Sequence, residues 1–216
     1  MPMFNRQSIV SYLFHQFKAQ NRHGLHSPFV YRLVDEVIYD FSSKADYQEL
    51  KQLRSARPDE LAKMNRSVAG WAGKCGPLRL ARLIYRLASH FNPQRIIELG
   101  TVLGAEAAYI RKAVPGVEIF GMGDNIAHEM ELIDWVSVGC IDDQEIAKKH
   151  LNQCIPKLGE TSVILFNTKY RNQEIKMTWE WIKEHPQVTV TIDLFWLGLA
   201  FVRPKQAREH FNIRYW

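Results

Sequence analysis

Apolar residues recur along the N-terminal part of the chain at the spacing of helices that bury one face. This spacing predicts a first helix whose apolar positions are Ile9, Leu13, Phe14 and Phe17. A second helix is predicted to begin at Ser27-Pro28, because Ser favours the N-cap and Pro the first helical position. Its apolar stripe comprises Phe29, Val30, Leu33, Val34, Val37 and Ile38. Residues 47–54 predict a short third helix, and residues 58–77, which are rich in glycine, predict a loop.

From Leu78 onward, short apolar runs alternate with helical patterns. The predicted strands span residues 95–99, 117–120, 135–138, 162–166, 188–195 and 199–202, and the predicted helices span 78–92, 105–113, 143–152 and 174–183. This alternation predicts an α/β fold class with a doubly wound, mostly parallel sheet. Leu197-Gly198 predicts a tight turn, so the sheet should end in an antiparallel hairpin. We expect one structural domain, in which residues 1–77 form a helical extension and loop packed on an α/β core of residues 78–216.

The amino-acid composition mainly excludes classes of protein, such as membrane-spanning and secreted proteins. Hydrophobic residues make up 46% of the chain and charged residues 24%, which is typical of globular domains. The sequence contains neither an apolar run long enough to cross a membrane nor a signal-peptide pattern at its start, so we expect a cytoplasmic protein without a membrane partner. The three cysteines show no zinc-site spacing. The net charge of +5 is spread along the chain, which gives no argument for a nucleic-acid partner.

The candidate chemistry begins at Gly100, where a predicted strand runs into a Gly-x-x-x-Gly turn that ends at Gly104. Glycine allows a sharp bend and the close approach of a ligand, and the following helix would offer free N–H groups and partial positive charge. The expected ligand group is a phosphate or the carboxylate of an amino-acid-like cofactor. The spacing is neither that of nicotinamide-binding proteins nor that of a P-loop. A plain tight turn is the alternative interpretation.

Segment 95–104 resembles the first motif of class I S-adenosylmethionine-dependent methyltransferases, in the form found in relatives of catechol O-methyltransferase. More specifically, the chain is similar to a group of bacterial methyltransferase-like proteins typical of Bacteroidetes. The other residues that carry this resemblance are His23-x-x-His26-Ser27-Pro28-Phe29-Val30, Lys74-x-Gly76 and residues 179–201. The resemblance implies a Rossmann-like methyltransferase fold, a small-molecule methyl acceptor, and an S-adenosylmethionine pocket around Glu98, Gly100, Thr101 and Gly104.

The chain departs from this family at the positions that usually hold the ribose and the metal. Met122 stands where the family places a ribose-binding acid, so Asp124 is the candidate for that role, with a turn-capping Asp as the alternative. Gly139-Cys140 and Asn167-Thr168 stand where metal-dependent members carry acids, and we therefore predict no metal site. Asp142-Asp143 is interpreted as a helix N-cap. The resemblance further implies that a helix and a strand of the family are deleted before residue 135.

Two functions therefore remain open from the sequence. The first is an S-adenosylmethionine-binding protein that methylates a small molecule without a metal, in which no catalytic base can be named. The second is a catalytically inactive relative with a degenerate site that keeps the fold as a binding or interaction module. Whether the chain is an enzyme and whether it forms a homo-oligomer are left open.

Several aromatic and histidine residues receive a structural interpretation. We interpret His23 and His26 as a structural hinge, and we interpret Trp179, Trp181 and Trp196 as packing residues. Trp71 is a candidate cover for a ligand.

Overall fold

The computed structural model describes residues 6–55, 78–100, 105–121, 130–139, 143–168 and 173–215. The helices in these ranges are α1 Arg6–Lys18, α2 Pro28–Arg32, α3 Asp46–Ser55, α4 Leu78–Phe91, α5 Ala105–Ala113, α6 Gln144–Cys154 and α7 Gln173–Glu184. A π-helical segment, Leu33–Ile38, continues α2. The strands are β1 Arg95–Leu99, β2 Glu118–Gly121, β3 Ile133–Val138, β4 Leu158–Asn167, β5 Val190–Asp193, β6 Leu197–Phe201 and β7 Glu209–Asn212. The predicted loop at 58–77 lies outside the described residues.

The described strands form one sheet in the order β2-β1-β3-β4-β6-β5-β7. Strands β2, β1, β3 and β4 run parallel to one another, and β6 runs antiparallel to both of its neighbours, β4 and β5. The predicted α/β fold class, with a mostly parallel sheet that includes an antiparallel hairpin, is confirmed. The predicted limits of β1 and α5 coincide with the observed ones.

The tight turn predicted at Leu197-Gly198 was wrong, because the hairpin turns at residues 194–196. Phe195 adopts a left-handed backbone conformation there, with φ of 73°, and its N–H donates to Asp193 Oδ1 at 2.7 Å. Gly198 lies inside β6 instead. A Cβ at Gly198 would come within 2.6 Å of the Trp179 ring, so this glycine serves close packing rather than a turn.

The sequence pattern also missed β7, which pairs in parallel with β5. This strand has four residues, of which only Phe211 is buried, so its apolar signal is weak. Beyond it, Ile213 forms a parallel bridge with Gln20, which ties the segment after α1 to the sheet. Residues directly after β7, the outermost strand at this end of the sheet, therefore contact a segment that is distant in the sequence.

Helices cover both faces of the sheet. On one face, α4 and the segment 28–38 bury Val30, Leu33 and Leu83 against sheet residues such as Trp135. The predicted Ser27 cap of α2 is confirmed, because Ser27 Oγ accepts the Val30 N–H at 3.4 Å. On the other face, α6 and α7 pack a second cluster that contains Leu99, Val136, Leu151, Ile175 and Trp179.

Buried Arg86 joins α4 to the end of the π-helical segment. Its Nε donates to Val37 O at 2.7 Å and its Nη2 to Ile38 O at 3.1 Å. These carbonyls end a helical segment and have no partner within it, so the guanidinium satisfies groups that burial would otherwise leave unpaired. The contact fixes segment 28–38 on the core.

Helix α1 forms as predicted, but its predicted apolar stripe faces outward. Leu13, Phe14 and Phe17 are 61%, 59% and 87% exposed, whereas His15 is buried. The helical period was therefore correct, while the face that packs on the sheet was not the most apolar one. No helix in the described ranges is long and apolar enough to cross a bilayer.

We expect Gly198→Ala to destabilise the fold by about 1–3 kcal/mol, because the new methyl group meets the rigid Trp179 ring. Gly24→Ala is the matched control, since a Cβ there meets no atom within 4 Å. Urea unfolding followed by tryptophan fluorescence measures both variants. Equal stability of the two variants would contradict the packing role of Gly198.

We also expect the thiol of Cys154 to resist alkylation in the folded protein. The side chain is fully buried at the end of α6, and burial raises its pKa to about 11. Only a small fraction is therefore thiolate, the reactive form, at pH 8. Mass spectrometry after iodoacetamide treatment should find Cys154 labelled in denaturant and unlabelled without it. Rapid native labelling of Cys154 would show that this helix end opens.

Candidate functional site

The order of the strands creates a switch point at β1. The chain passes from β1 to β2 on one side and then crosses to β3 on the other side of β1. In open α/β sheets, ligands bind in the crevice that such a reversal leaves outside the carboxyl ends of the strands. Gly100, directly after β1, and Gly139, directly after β3, are the described residues at this point.

The end of β1 is held on both sides by its neighbours. Glu98 pairs in register with Gly121 of β2 and Ser137 of β3, and the Gly139 N–H donates to Leu99 O at 2.8 Å. The next residue, Gly100, has φ of 85°, in the left-handed region that favours glycine. The backbone therefore turns sharply out of the sheet where the sequence predicts a ligand-binding turn.

Only part of the predicted cofactor site can be located. Glu98 is partly exposed at the carboxyl end of β1, and Gly100 follows it. Thr101, Gly104 and Asp124 lie outside the described residues. Helix α5 begins at Ala105, and the residues between it and Gly100 lie outside the described ranges. Glu98 and Gly100, the predicted cofactor residues within the described ranges, thus lie at the switch point.

The positions predicted to lack metal ligands lie at the same edge of the sheet. Asn167 ends β4, and the hydroxyl of buried Thr168 donates to Phe195 O at 2.6 Å. No group of three His, Cys, Asp or Glu side chains that could hold a metal ion occurs among the described residues. The N-cap interpretation is confirmed for Asp143, whose Oδ1 accepts from Glu145 N at 2.8 Å and Ile146 N at 3.2 Å. Cys140 and Asp142 lie outside the described residues.

Sequence reasoning missed a buried His–Asp pair at this carboxyl edge. His15 Nε2 lies 3.1 Å from Asp193 O and 3.4 Å from Asp193 Oδ1, at the end of β5. His15 Nδ1 is buried without a hydrogen-bond partner in the part of the chain described. Tyr12 and His15 also contact the Phe195 ring, at centroid distances of 5.0 and 5.5 Å. The sequence does show a histidine within a predicted helix and an aspartate within a predicted strand. The two residues are far apart in the chain, however, so no local pattern predicts that they meet.

The remaining predicted residues lie elsewhere. His23 is in a 3-10 turn, Arg22–Gly24, between α1 and α2, and exposed His26 precedes the Ser27 cap. Trp179 is a packing residue as predicted, since its ring stacks on Phe166 at a centroid distance of 5.5 Å. Trp71 lies outside the described residues.

Comparison with solved structures identifies the fold. No protein-family model and no curated protein matches the chain. The structure of the O-methyltransferase from Bacillus cereus in complex with SAH matches with a TM-score of 0.50 and 13% identity, over 79% of this chain and 95% of that one. The chain has the fold of this methyltransferase.

Two further methyltransferase structures are similar at lower scores. The SAH-bound Podospora anserina methyltransferase PaMTH1 matches with a TM-score of 0.49 and 12% identity, over 94% of this chain and 98% of that one. A methyltransferase from Geobacter sulfurreducens matches with a TM-score of 0.48 and 14% identity, over 82% of this chain and 97% of that one. At these identities the likeness concerns the fold alone.

We expect Asp193→Ala to lower the free energy of unfolding by about 1–3 kcal/mol, because the buried Phe195 N–H loses its acceptor. Asp35→Ala is the control, since it removes an exposed ion pair to Arg22 that should contribute less than about 1 kcal/mol. Urea denaturation at neutral pH measures both. A loss at Asp193 no larger than that at Asp35 would show that the carboxylate does not hold the hairpin turn.

Proposed function

We propose that the chain is a class I S-adenosylmethionine-dependent methyltransferase that acts on a small-molecule acceptor without a metal. The observation that carries this proposal is Gly100, which adopts a left-handed conformation where β1 ends between β2 and β3. The methyltransferase fold and the resemblance of segment 95–104 support it. We further place the chain in the catechol O-methyltransferase-like group typical of Bacteroidetes, as a shortened member that works in the cytoplasm.

The proposed cofactor residues are Glu98, Gly100, Thr101, Gly104 and Asp124. The fit rests on the turn at Gly100, where the lack of a side chain leaves the backbone open to an approaching carboxylate. The N-terminus of α5 would add N–H donors and partial positive charge on the same side. Glu98 would contact the cofactor from the end of β1, and Asp124, beyond β2, would accept hydrogen bonds from the ribose hydroxyls.

S-adenosylmethionine, when bound, supplies an electrophilic methyl group on a sulfonium centre. Glu98, Gly100, Thr101, Gly104 and Asp124 would hold the cofactor, which would supply this methyl group to the acceptor oxygen or nitrogen, and the acceptor would lose its proton to solvent. The chain's own contribution is to hold the two reactants in line at the carboxyl edge of the sheet.

Residues 1–77 are proposed to act as an extension of the core 78–216 within one domain.

A second candidate function is a binding module without catalysis. It is favoured by the ends of β3 and β4, where Gly139, Asn167 and Thr168 stand in place of the acids of metal-dependent members. The Thr168 hydroxyl is already bonded to Phe195 O, so it is committed to the hairpin turn. On this alternative the site is degenerate, and the fold is retained for recognition.

We expect the chain to bind S-adenosylhomocysteine with micromolar affinity in titration calorimetry, and Gly100→Val to abolish this binding. A side chain at Gly100 would strain the left-handed backbone and fill the proposed cradle. Gly116→Val is a matched control, because Gly116 has nearly the same φ, 86°, in a turn before β2 and away from the carboxyl edge.

The outcomes separate the alternatives. Binding that Gly116→Val keeps and Gly100→Val loses supports the proposed cofactor site. Unchanged affinity in a folded Gly100→Val variant would show that the glycine turn does not form the site. No heat and no thermal shift with wild-type protein at millimolar S-adenosylmethionine would favour the binding module without cofactor.

A further inference from the structure

A cavity of about 680 Å³ lies at the opposite edge of the sheet from the proposed cofactor site. Its lining includes His90 in the last turn of α4, Glu160 near the start of β4, and Glu209 at the start of β7. Arg203 follows the antiparallel strand β6 and therefore reaches the same edge. All these positions are near the amino ends of the parallel strands, whereas Gly100 lies at a carboxyl end. The cavity is thus separate from the switch point.

The segment His26-Ser27-Pro28-Phe29, part of the pattern behind the methyltransferase resemblance, lines this cavity. Ser27 Oγ accepts a hydrogen bond from Gln206 Nε2 at 2.6 Å, and the Gln206 N–H donates to Arg203 O at 2.9 Å. These bonds fix the loop after β6 against the start of α2. The cavity wall is therefore built from two segments that are firmly connected, with space left between them.

The charged groups of the lining are balanced but unpaired. Three cations, Arg32, Arg203 and Lys205, and three carboxylates, Glu36, Glu160 and Glu209, face the cavity. Within the described ranges, no side chain of this set forms an ion pair with another residue. Unpaired groups of both signs around one space complement a ligand that carries both charges, and they disfavour a purely apolar or singly charged one.

The side chain of Arg203 is held in place by an aromatic ring and a backbone carbonyl. Its guanidinium carbon lies 4.0 Å from the centre of the Phe29 ring, and its Nη1 donates to Glu160 O at 2.8 Å. Phe29 in turn packs edge-on against Phe201 at a centroid distance of 5.0 Å. The fixed guanidinium retains Nε and Nη2 as a pair of donors, and such a fork matches the two oxygens of a carboxylate.

Glu209 offers the complementary negative group. Its backbone N–H donates to Thr189 O at 2.8 Å, which fixes the residue at the start of β7. The side chain is half-buried and lines the same space as Arg203. A half-buried carboxylate without an ion-pair partner attracts an ammonium group more strongly than a fully solvated one does.

We propose that this cavity binds a small zwitterion of the amino-acid type, with its carboxylate on Arg203 and its ammonium group at Glu209. The volume also accommodates the rest of such a molecule. The site does not depend on the proposed methyltransferase function, because it lies at the other edge of the sheet and shares no residue with the cofactor site.

The standard L-amino acids, tested one by one in thermal-shift and calorimetric titrations of the full chain, are the probes. We expect at least one to bind at concentrations up to about 10 mM, and its N-acetyl and carboxamide derivatives to bind at least about tenfold more weakly. The N-acetyl derivative lacks the ammonium charge and the carboxamide lacks the carboxylate charge, and the cavity is proposed to recognise both. Absence of binding by every amino acid, or equal binding of the acetylated derivative, would overturn the proposal.

Paired variants test the two anchoring groups. Glu209→Gln keeps the shape of the side chain and should weaken binding of the amino acid at least about tenfold, whereas Glu174→Gln, at an exposed position of α7, should not. Arg203→Lys retains the charge but removes the fork of donors, and it should also weaken binding, unlike Arg79→Lys at an exposed position of α4. Circular dichroism establishes that each variant is folded. Unchanged affinity in folded Glu209→Gln and Arg203→Lys would place the ligand elsewhere.

Discussion

The pairing of β1 with β2 on one side and β3 on the other is the constraint on which the rest of the structure depends. It makes the chain reverse its direction of winding between β1 and β3, and in open α/β sheets ligands bind outside the carboxyl ends of the strands at such a reversal. The hydrogen bond from Gly139 N to Leu99 O holds the two strand ends together. The left-handed turn at Gly100 then carries the backbone away from the sheet.

The two edges of the sheet have different chemistry. At the carboxyl edge, the described polar groups are largely committed to protein contacts, as in the Asp143 cap, the Thr168 bond to Phe195 O and the His15–Asp193 pair. At the amino edge, charged side chains line an open cavity without pairing. A ligand at the amino edge would therefore be recognised by its charges.

The similarity to a methyltransferase structure is evidence for the fold of this chain, but it is much weaker evidence for its function. Packed apolar strands and helices tolerate much substitution while the architecture persists, so the fold is recognisable at 13% identity. Function rests on a few groups at defined positions, and a shared fold does not by itself supply them. The segment His26-Ser27-Pro28-Phe29 lines the cavity at the amino edge, away from Gly100.

The sequence alone determined the elements whose signals are local. The apolar run 95–99 and the helix after the glycine turn were predicted with their observed limits, and Ser27-Pro28 was identified as a helix start, because periodicity and capping act within a few residues. Only the tertiary structure decided what depends on distant segments. The contact of Gly198 with Trp179, the pairing of β7, the His15–Asp193 pair and the cavity at Arg203 each join residues far apart in the chain, and no local pattern specifies which distant surfaces meet.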